Sequence, residues 1–301
     1  MNLSFIGFGV AGYGLAKGLK GAGIKEIYFI DTQRDTPPFS ETIRKRATEI
    51  DAIYLDRIQK LAEKTDIMIS CVTGSVALSI VEQTAPYLDK NNLYIDVNAT
   101  SPMVKEQIAA VIEKSGAAFV DAAMMGPVPT FLHRVPILAS GSGAARFKAV
   151  MEPYGMQIHS LGDKPGKASG IKMFRSIFMK GLVALLIEML MAARKYEAEA
   201  IVLRSIAETI DKTNFMETVQ TIFPKGITSA ERMTHEMEEV IETLQFLNLP
   251  SDMTRAVREK LDWCSRLGLR EEFGGNVPES LDTALRALED KAVRMPQDAS
   301  D

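Results

Sequence analysis

Residues 3–12 constrain the fold more tightly than any other part of this 301-residue chain. A short, mostly apolar run, Leu3-Ser4-Phe5-Ile6, leads into Gly7-Phe8-Gly9-Val10-Ala11-Gly12. The chain then continues as Tyr13-Gly14-Leu15-Ala16-Lys17-Gly18-Leu19 with helical spacing. A lone G-x-G-x-x-G says little, but a strand before it and a helix after it turn it into a dinucleotide fingerprint. Gly7 permits the tight turn, Gly9 lets backbone approach a pyrophosphate, and Gly12 lets the helix close on the strand. The anion would rest on the helix N-terminus, where free N–H groups and the macrodipole favour negative charge. The residues of this loop, Gly7, Phe8, Gly9, Val10, Ala11 and Gly12, are therefore the first cofactor-binding set.

Asp31 lies nineteen residues beyond Gly12, at the end of the next apolar run, with Thr32 beside it. A carboxylate there accepts hydrogen bonds from the adenosine ribose and repels a 2′-phosphate, which favours NAD. Arg34 leaves NADP open, because a nearby arginine can accommodate that phosphate. Two later loops belong to the same crevice, since ligands bind outside the carboxyl ends of parallel strands. Cys71-Val72-Thr73-Gly74-Ser75 is a small-residue loop able to lie under the nicotinamide riboside, with Val72 and Thr73 as its contacts. The second loop is Asp96-Val97-Asn98-Ala99-Thr100-Ser101-Pro102, in which Asn98 faces cofactor and substrate alike.

Short apolar runs at Leu3–Ile6, Glu26–Ile30, Asp66–Ser70, Leu93–Asp96, Ala118–Asp121, Pro136–Ala139 and Gln157–Ser160 alternate with helical segments such as Ala11–Ala22 and Val76–Leu88. That alternation predicts an α/β domain, a Rossmann-type doubly wound sheet, over residues 1–165. The stretch from Asp35 to Ile53 carries no clear strand pattern. After Gly166 the character changes. A pattern free of proline from Ser169 to Tyr196 predicts one long interdomain helix of roughly 42 Å. Helical segments Ala198–Lys212, Asn214–Thr221, Thr228–Leu247 and Ser251–Leu267 follow, with breaks at Pro224, Pro250 and Gly268. Residues 166–301 thus read as an all-α domain, ending in a polar, frayed tail from Met295.

The function classes this leaves are narrow. With 35 basic against 39 acidic residues, the chain has no electrostatic footprint for nucleic acid or an anionic membrane. Two cysteines, Cys71 and Cys264, make no disulfide framework and suit a reducing compartment. The N-terminus has no basic region, apolar core or cleavage site of a signal peptide, so a cytoplasmic protein is expected. Ile177–Ala193 imitates a membrane span, but Lys180 and Glu188 within it favour burial against another domain or subunit.

Hydride chemistry at a carbonyl/alcohol couple needs a proton donor or acceptor beside the reacting oxygen. Lys172, at the start of the long helix, is the candidate. It shares a helix face with Arg175, Ser176 and Met179, and Lys180 stands one turn beyond Ser176. Such cations can hold an anionic substrate while one moves a proton, and crowding with partial desolvation lowers a lysine's pKa towards neutrality. The same spacing also fits a solvated face paired with Glu188 and Glu197. His235 sits on an amphipathic helix as a second candidate ligand or as a surface partner of Glu238 or Glu239. His133 and His159 are assigned no role, and no cluster has metal-ligand spacing.

Taken in order, these segments resemble the β-hydroxyacid dehydrogenase family, which includes 6-phosphogluconate and 3-hydroxyisobutyrate dehydrogenases. Phe5 to Gly12 is similar to the family's cofactor motif, and Asp96 to Pro102 to its D-x-S-T-x-x-P segment. Asp121-Ala122-Ala123-Met124-Met125-Gly126-Pro127 resembles the D-A-P-V-S-G-G substrate loop. Gly166-Lys167-Ala168-Ser169-Gly170-Ile171-Lys172 resembles the G-x-G-x-x-x-K segment, which puts Lys172 on the family's catalytic lysine. The resemblance also implies a helical domain used in homodimerisation. The departures fall at the substrate: Met125 replaces a serine, Pro127 a glycine, Arg175 and Ser176 the usual asparagines, and Asn98 and Ala99 a serine and threonine. The tract Lys172 to Gly181, with Arg232 to Glu239, resembles a poorly characterised phosphogluconate-dehydrogenase-like branch.

The expectation is an NAD(P)-dependent oxidoreductase acting on the CH–OH group of a small, anionic β-hydroxyacid-like molecule, with Lys172 as general acid/base. Arg175 and Lys180 would hold the anion; Asn98, Met125, the Gly126 backbone, Ser176 and His235 complete the substrate set. An imine reductase-like enzyme is the alternative within catalysis, although relatives that reduce imines usually lack the lysine. A non-catalytic NAD(H)-binding regulator is the alternative outside it.

Overall fold

The computed structural model describes residues 2–294 and packs into two compact units, Met1–Ile177 and Phe178–Asp301. The polar tail expected from Met295 lies outside the described residues.

In the first unit, strands and helices alternate: β1 (Leu3–Ile6), α1 (Val10–Gly21), β2 (Ile27–Ile30), α2 (Ser40–Glu49), β3 (Ile53–Tyr54), α3 (Ile58–Lys64), β4 (Ile67–Ser70), α4 (Ala77–Thr84), β5 (Leu93–Asp96) and α5 (Pro102–Lys114). Then come β6 (Ala118–Met124), α6 (Val128–Phe131), β7 (Ile137–Ser140), α7 (Ala144–Met151), β8 (Ile158–Ser160) and α8 (Lys167–Lys195). One eight-stranded sheet results, in the order β3-β2-β1-β4-β5-β6-β7-β8. Every neighbouring pair is parallel except β6 with β7. The chain winds outward from β1 to β3, then crosses back to β4 on the other side of β1. That reversal opens a crevice at the carboxyl ends of β1 and β4.

The doubly wound α/β architecture is the one expected, and each of the seven anticipated strands is present. Asp35–Ile53, which gave no strand pattern, folds as α2 followed by β3. With two residues, β3 is too short to show any period; it exists because Tyr28 and Phe29 of β2 pair with Ile53 and Tyr54. Strand alternation sends side chains to both faces of the sheet. Leu3, Phe5, Ile27 and Phe29 pack with Phe8, Leu15 and Leu19 of the α1 side. Ile6, Tyr28, Met68 and Tyr94 pack with Leu61, Val81, Ile108 and Ile112 on the other. Ser101 caps α5 by accepting from Val104 N at 3.3 Å, with Pro102 in the first turn, so the helix starts where strand β5 has delivered the chain.

The second unit holds the rest of α8 and α9 (Glu199–Ile210), α10 (Phe215–Thr228), α11 (Ala230–Phe246), α12 (Asp252–Ser265), α13 (Leu269–Glu272) and α14 (Leu281–Arg294). It is all helical, as expected. The break anticipated at Pro224 does not occur: α10 runs through that proline, which is buried beside Ile227 and Thr228. Packing there outweighs an intrinsic cost of about 3 kcal/mol. Glu188 of α8 accepts from Met253 N at 3.0 Å and Thr254 N at 2.8 Å, closing the free N-terminus of α12.

The first unit keeps about three turns of α8, so the compact boundary falls twelve residues beyond the expected start of the second domain at 166. The long helix is present at its expected length. By length and composition it is apolar enough to cross a membrane. Within the single chain its apolar residues are largely exposed, including Ile177, Phe178, Val183 and Ile187.

Candidate active site

Three strand ends and one helix start build the site within the first unit. At the first, Gly7 has a φ of +92°, and a β-carbon there would lie 2.5 Å from Cys71 O. A β-carbon on Gly12 would lie 2.2 Å from Gly7 O, so only glycine lets α1 follow β1 so closely. Gly9 is different: a β-carbon there would meet nothing within 4 Å. No side chain caps the α1 N-terminus at Gly9, and Val10 is exposed. An open, uncapped helix N-terminus beside an unfilled glycine flank is the shape a dinucleotide pyrophosphate requires, and the residues present fit that group.

Phe8 takes part only through its backbone. Its ring is fully buried, stacked on Phe29 at 4.2 Å between centroids and edge-on to Phe5 and Tyr13. Its N–H donates to Asp31 Oδ2 at 2.7 Å, while Asp31 Oδ1 accepts from Gln33 N at 2.8 Å. Asp31 thus ties the glycine loop to the end of β2, and Thr32 follows it on the exposed turn. The Arg34 guanidinium lies 4.1 Å over the Tyr54 ring and pairs with Asp35 at 2.9 Å.

At the second strand end, Val72 N donates to Asn98 Oδ1 at 2.7 Å, and Thr73 is exposed beyond it. The Asn98 amide nitrogen donates to Ser70 Oγ and Asp96 Oδ2, each at 3.0 Å. The buried Asn98 side chain therefore stitches the β4 and β5 loops together. Both of its amide hydrogens are engaged inside the protein.

The third strand end carries a buried charge cluster that was not among the expected site residues. Lys105, on α5, is fully buried. Its ammonium donates to Asp96 Oδ1 at 2.6 Å and Asp96 O at 2.9 Å, and stands 3.3 Å from Asp121 Oδ1. Asp121, on β6, accepts from Ser169 Oγ at 2.6 Å and Ser169 N at 2.9 Å, while Ser140 Oγ accepts from Ala168 N at 3.1 Å. The first N–H groups of α8 are thus satisfied from the sheet. One signal was available: Lys105, Ile108, Ala109 and Ile112 form the buried stripe of α5 at i, i+3, i+4 and i+7, a place where a lysine is out of pattern.

Lys172 stands one turn beyond Ser169 and is half-buried. Burial holds its amine below the ordinary lysine range, the Lys105 charge pushes the same way, and the Asp121 carboxylate pulls back. Arg175 is exposed and Ser176 half-buried, its hydroxyl donating to Lys172 O at 3.0 Å within the helix. Met125 is half-buried and anchored through its N–H to Pro136 O at 2.8 Å; Gly126 follows it. The structure therefore brings Lys172, Arg175, Asp121 and the β5 loop into one unit. Lys180 and His235 belong to the other. Lys180 is exposed, and neither it nor Arg175 has an ion-pair partner among the described residues. Glu188, considered as their partner, is engaged with α12 instead. His235 is exposed and pairs through Nδ1 with Glu238 at 3.2 Å, the surface arrangement weighed against a ligand role.

Comparison with known proteins agrees with this geometry. The profile of the NAD binding domain of 6-phosphogluconate dehydrogenase matches residues 2–162, and a domain of unknown function, DUF1932, matches residues 193–264. An uncharacterised 28.5 kDa protein of Methanothermus fervidus is 28% identical over 247 residues, covering 82% of this chain and 91% of its own. The mitochondrial 3-hydroxyisobutyrate dehydrogenase of Drosophila melanogaster is 29% identical over 166 residues, 54% of this chain and 49% of that enzyme, so the match spans about half its length. Among solved structures, a conserved protein described as structurally similar to 3-hydroxyacid dehydrogenases is 29% identical with a TM-score of 0.60, covering 88% of this chain and 98% of its own. A reductive aminase from Aspergillus terreus shares the fold, at a TM-score of 0.72 and 16% identity over 96% of this chain and 98% of its own. With a cofactor-domain match over more than half of its length, this chain belongs to the β-hydroxyacid dehydrogenase family, as an NAD(P)-binding oxidoreductase.

Proposed function

We propose that the protein oxidises or reduces a small, anionic β-hydroxyacid-like substrate, with Lys172 as the proton-transfer group. The observation that carries this is the half-buried amine of Lys172, presented from the first turns of a helix anchored to the sheet through Asp121 and Ser169. When bound, the nicotinamide supplies the hydride exchange with the substrate carbon. The neutral Lys172 amine takes the hydroxyl proton in oxidation, and its protonated form returns one in reduction. An amine held below the ordinary lysine range gives up its proton more readily than a free lysine, and its protonated form can return one. Arg175, exposed and without an ion-pair partner among the described residues, is the cation assigned to the substrate anion. Asn98 acts by fixing the β4 and β5 loops, and the Gly126 backbone orients the substrate; Met125 in place of a small hydroxyl selects a substrate different from the usual short hydroxyacids.

We also read the exposed apolar residues of α8, α9 and α10 as the surface of a homodimer, and the compartment as cytoplasmic. Phe178, Val183, Ile187, Ile201 and Phe215 are each more than half exposed in the single chain. Apolar surface on that scale marks an interface in a globular protein.

Replacing Lys172 by Met should reduce turnover at least a hundredfold with cofactor binding retained, a loss on the order of that for general acid–base catalysis. The substrate screen follows reduced-cofactor absorbance with both NAD and NADP across hydroxyacids, aldehydes and imines. Turnover unchanged by the substitution overturns the role of Lys172; turnover confined to imines overturns the hydroxyacid substrate.

A further inference from the structure

Lys105 is a costly residue in its place. An apolar side chain would complete the buried stripe of α5, and a buried ion pair is weak evidence for stability because desolvation offsets its attraction. Here the ammonium meets two buried carboxylates, Asp96 at 2.6 Å and Asp121 at 3.3 Å. Asp121 in turn holds the backbone N–H and the hydroxyl of Ser169, three residues before Lys172. The cluster therefore sits beneath the turn that presents the amine.

We propose that Lys105 and Asp121 are positioning residues of opposed sign acting on Lys172: Asp121 anchors the turn that carries it, and Lys105 balances the negative field at its amine. This rests on Lys172 being the proton-transfer group. The charged groups facing Lys172 are Lys105 from α5 and Asp121 from β6; Arg175 stands one turn on along the same helix, and Asp96 acts through Lys105. With two carboxylates and one ammonium the buried cluster is net negative, and that excess lies beside the positive N-terminal end of the α8 dipole. Removing the ammonium would leave Lys172 facing uncompensated carboxylates and hold its proton more tightly. Removing the Asp121 charge would leave it facing an ammonium and release the proton more readily. Loss of packing alone would instead expose Lys172 in both variants and move both the same way, towards an ordinary lysine.

The test is pH-dependent competitive acetylation of the full-length protein with acetic anhydride, read at the Lys172 peptide by mass spectrometry. In the wild type the Lys172 midpoint should fall below those of exposed lysines. In Lys105→Met it should rise, and in Asp121→Asn it should fall, each by about one pH unit, the low end for a nearby charge. Movement in the same direction in both variants, or in neither, overturns the proposal. Lys105→Met leaves two carboxylates buried without their cation, so Asp121→Asn, isosteric and keeping one oxygen to accept from Ser169, decides the matter if the first variant does not fold. A fall then supports the proposal, and no change or a rise overturns it. Labelling reads the amine independently of turnover. A full response with Lys172→Met still active would therefore sink the catalytic reading of Lys172 and leave the electrostatic coupling standing.

Discussion

Asp121, midway along β6, accepts both the backbone N–H and the hydroxyl of Ser169, at 2.9 and 2.6 Å, from 48 residues further along the chain. The pair joins β6 to the start of α8 and is fully enclosed. Its carboxylate takes the place of a side-chain cap, a negative charge at the positive end of a 29-residue helix. Because Lys172 follows one turn later, the location of the amine is set by the sheet and not by a loop.

The pH dependence follows from the burial of that amine. Folded Lys172 releases its proton below the ordinary value of 10.5, so between the two values the unfolded chain binds more protons. Stability from this group is fully present above 10.5 and lost as pH falls through the folded value. Wild type should therefore gain stability relative to Lys172→Met as pH is raised across that window, measured by urea midpoints. Substrate oxidation should rise with pH through the same folded value and reduction should fall. Parallel pH curves for wild type and variant would contradict both statements.

Two glycines separate folding from binding. In Gly12→Ala the new methyl meets Gly7 O, and stability should drop by about 2–3 kcal/mol, the cost of overpacking. In Gly9→Ala the methyl enters open space at a φ of −67°, so the thermal midpoint should stay within a degree or two while NAD affinity falls at least tenfold. Calorimetry with NAD titration reads both. Equal affinity in Gly9→Ala would place the pyrophosphate elsewhere.

Asp31 should decide between the two nicotinamide cofactors. Asp31→Ser removes the charge that repels a 2′-phosphate and leaves Arg34 close by, stacked on Tyr54. The NADP-to-NAD affinity ratio should increase about tenfold, equivalent to about 1.4 kcal/mol. Fluorescence titration of both cofactors gives the ratio, and an unchanged value would remove Asp31 from cofactor selection.

The apolar face of the second unit makes a prediction about mass. Sedimentation should give twice the 33.1 kDa of the chain, and Val183→Asp with Ile187→Asp should return it to the monomer value. A monomer in the unaltered protein would sink the homodimer.

The sequence by itself determined the nucleotide crevice. Strand, glycine spacing, helix and acid are local features, and each forces backbone geometry within a few residues. It also determined the change from an α/β to an all-helical unit, because apolar period is a property of neighbours along the chain. Tertiary structure decided what depends on distant pairing. β3 exists only because β2 lends it partners, and α10 passes through Pro224 because packing outweighs propensity. Asn98 turned inward because Ser70, Asp96 and Val72 N meet its amide from two strands. Lys105 was legible as a lysine out of pattern on α5, but its partners come from β5 and β6. Only the folded sheet brings Asp96 and Asp121 around one ammonium, with Ser169 held by the second carboxylate, because charges far apart in sequence interact by distance alone.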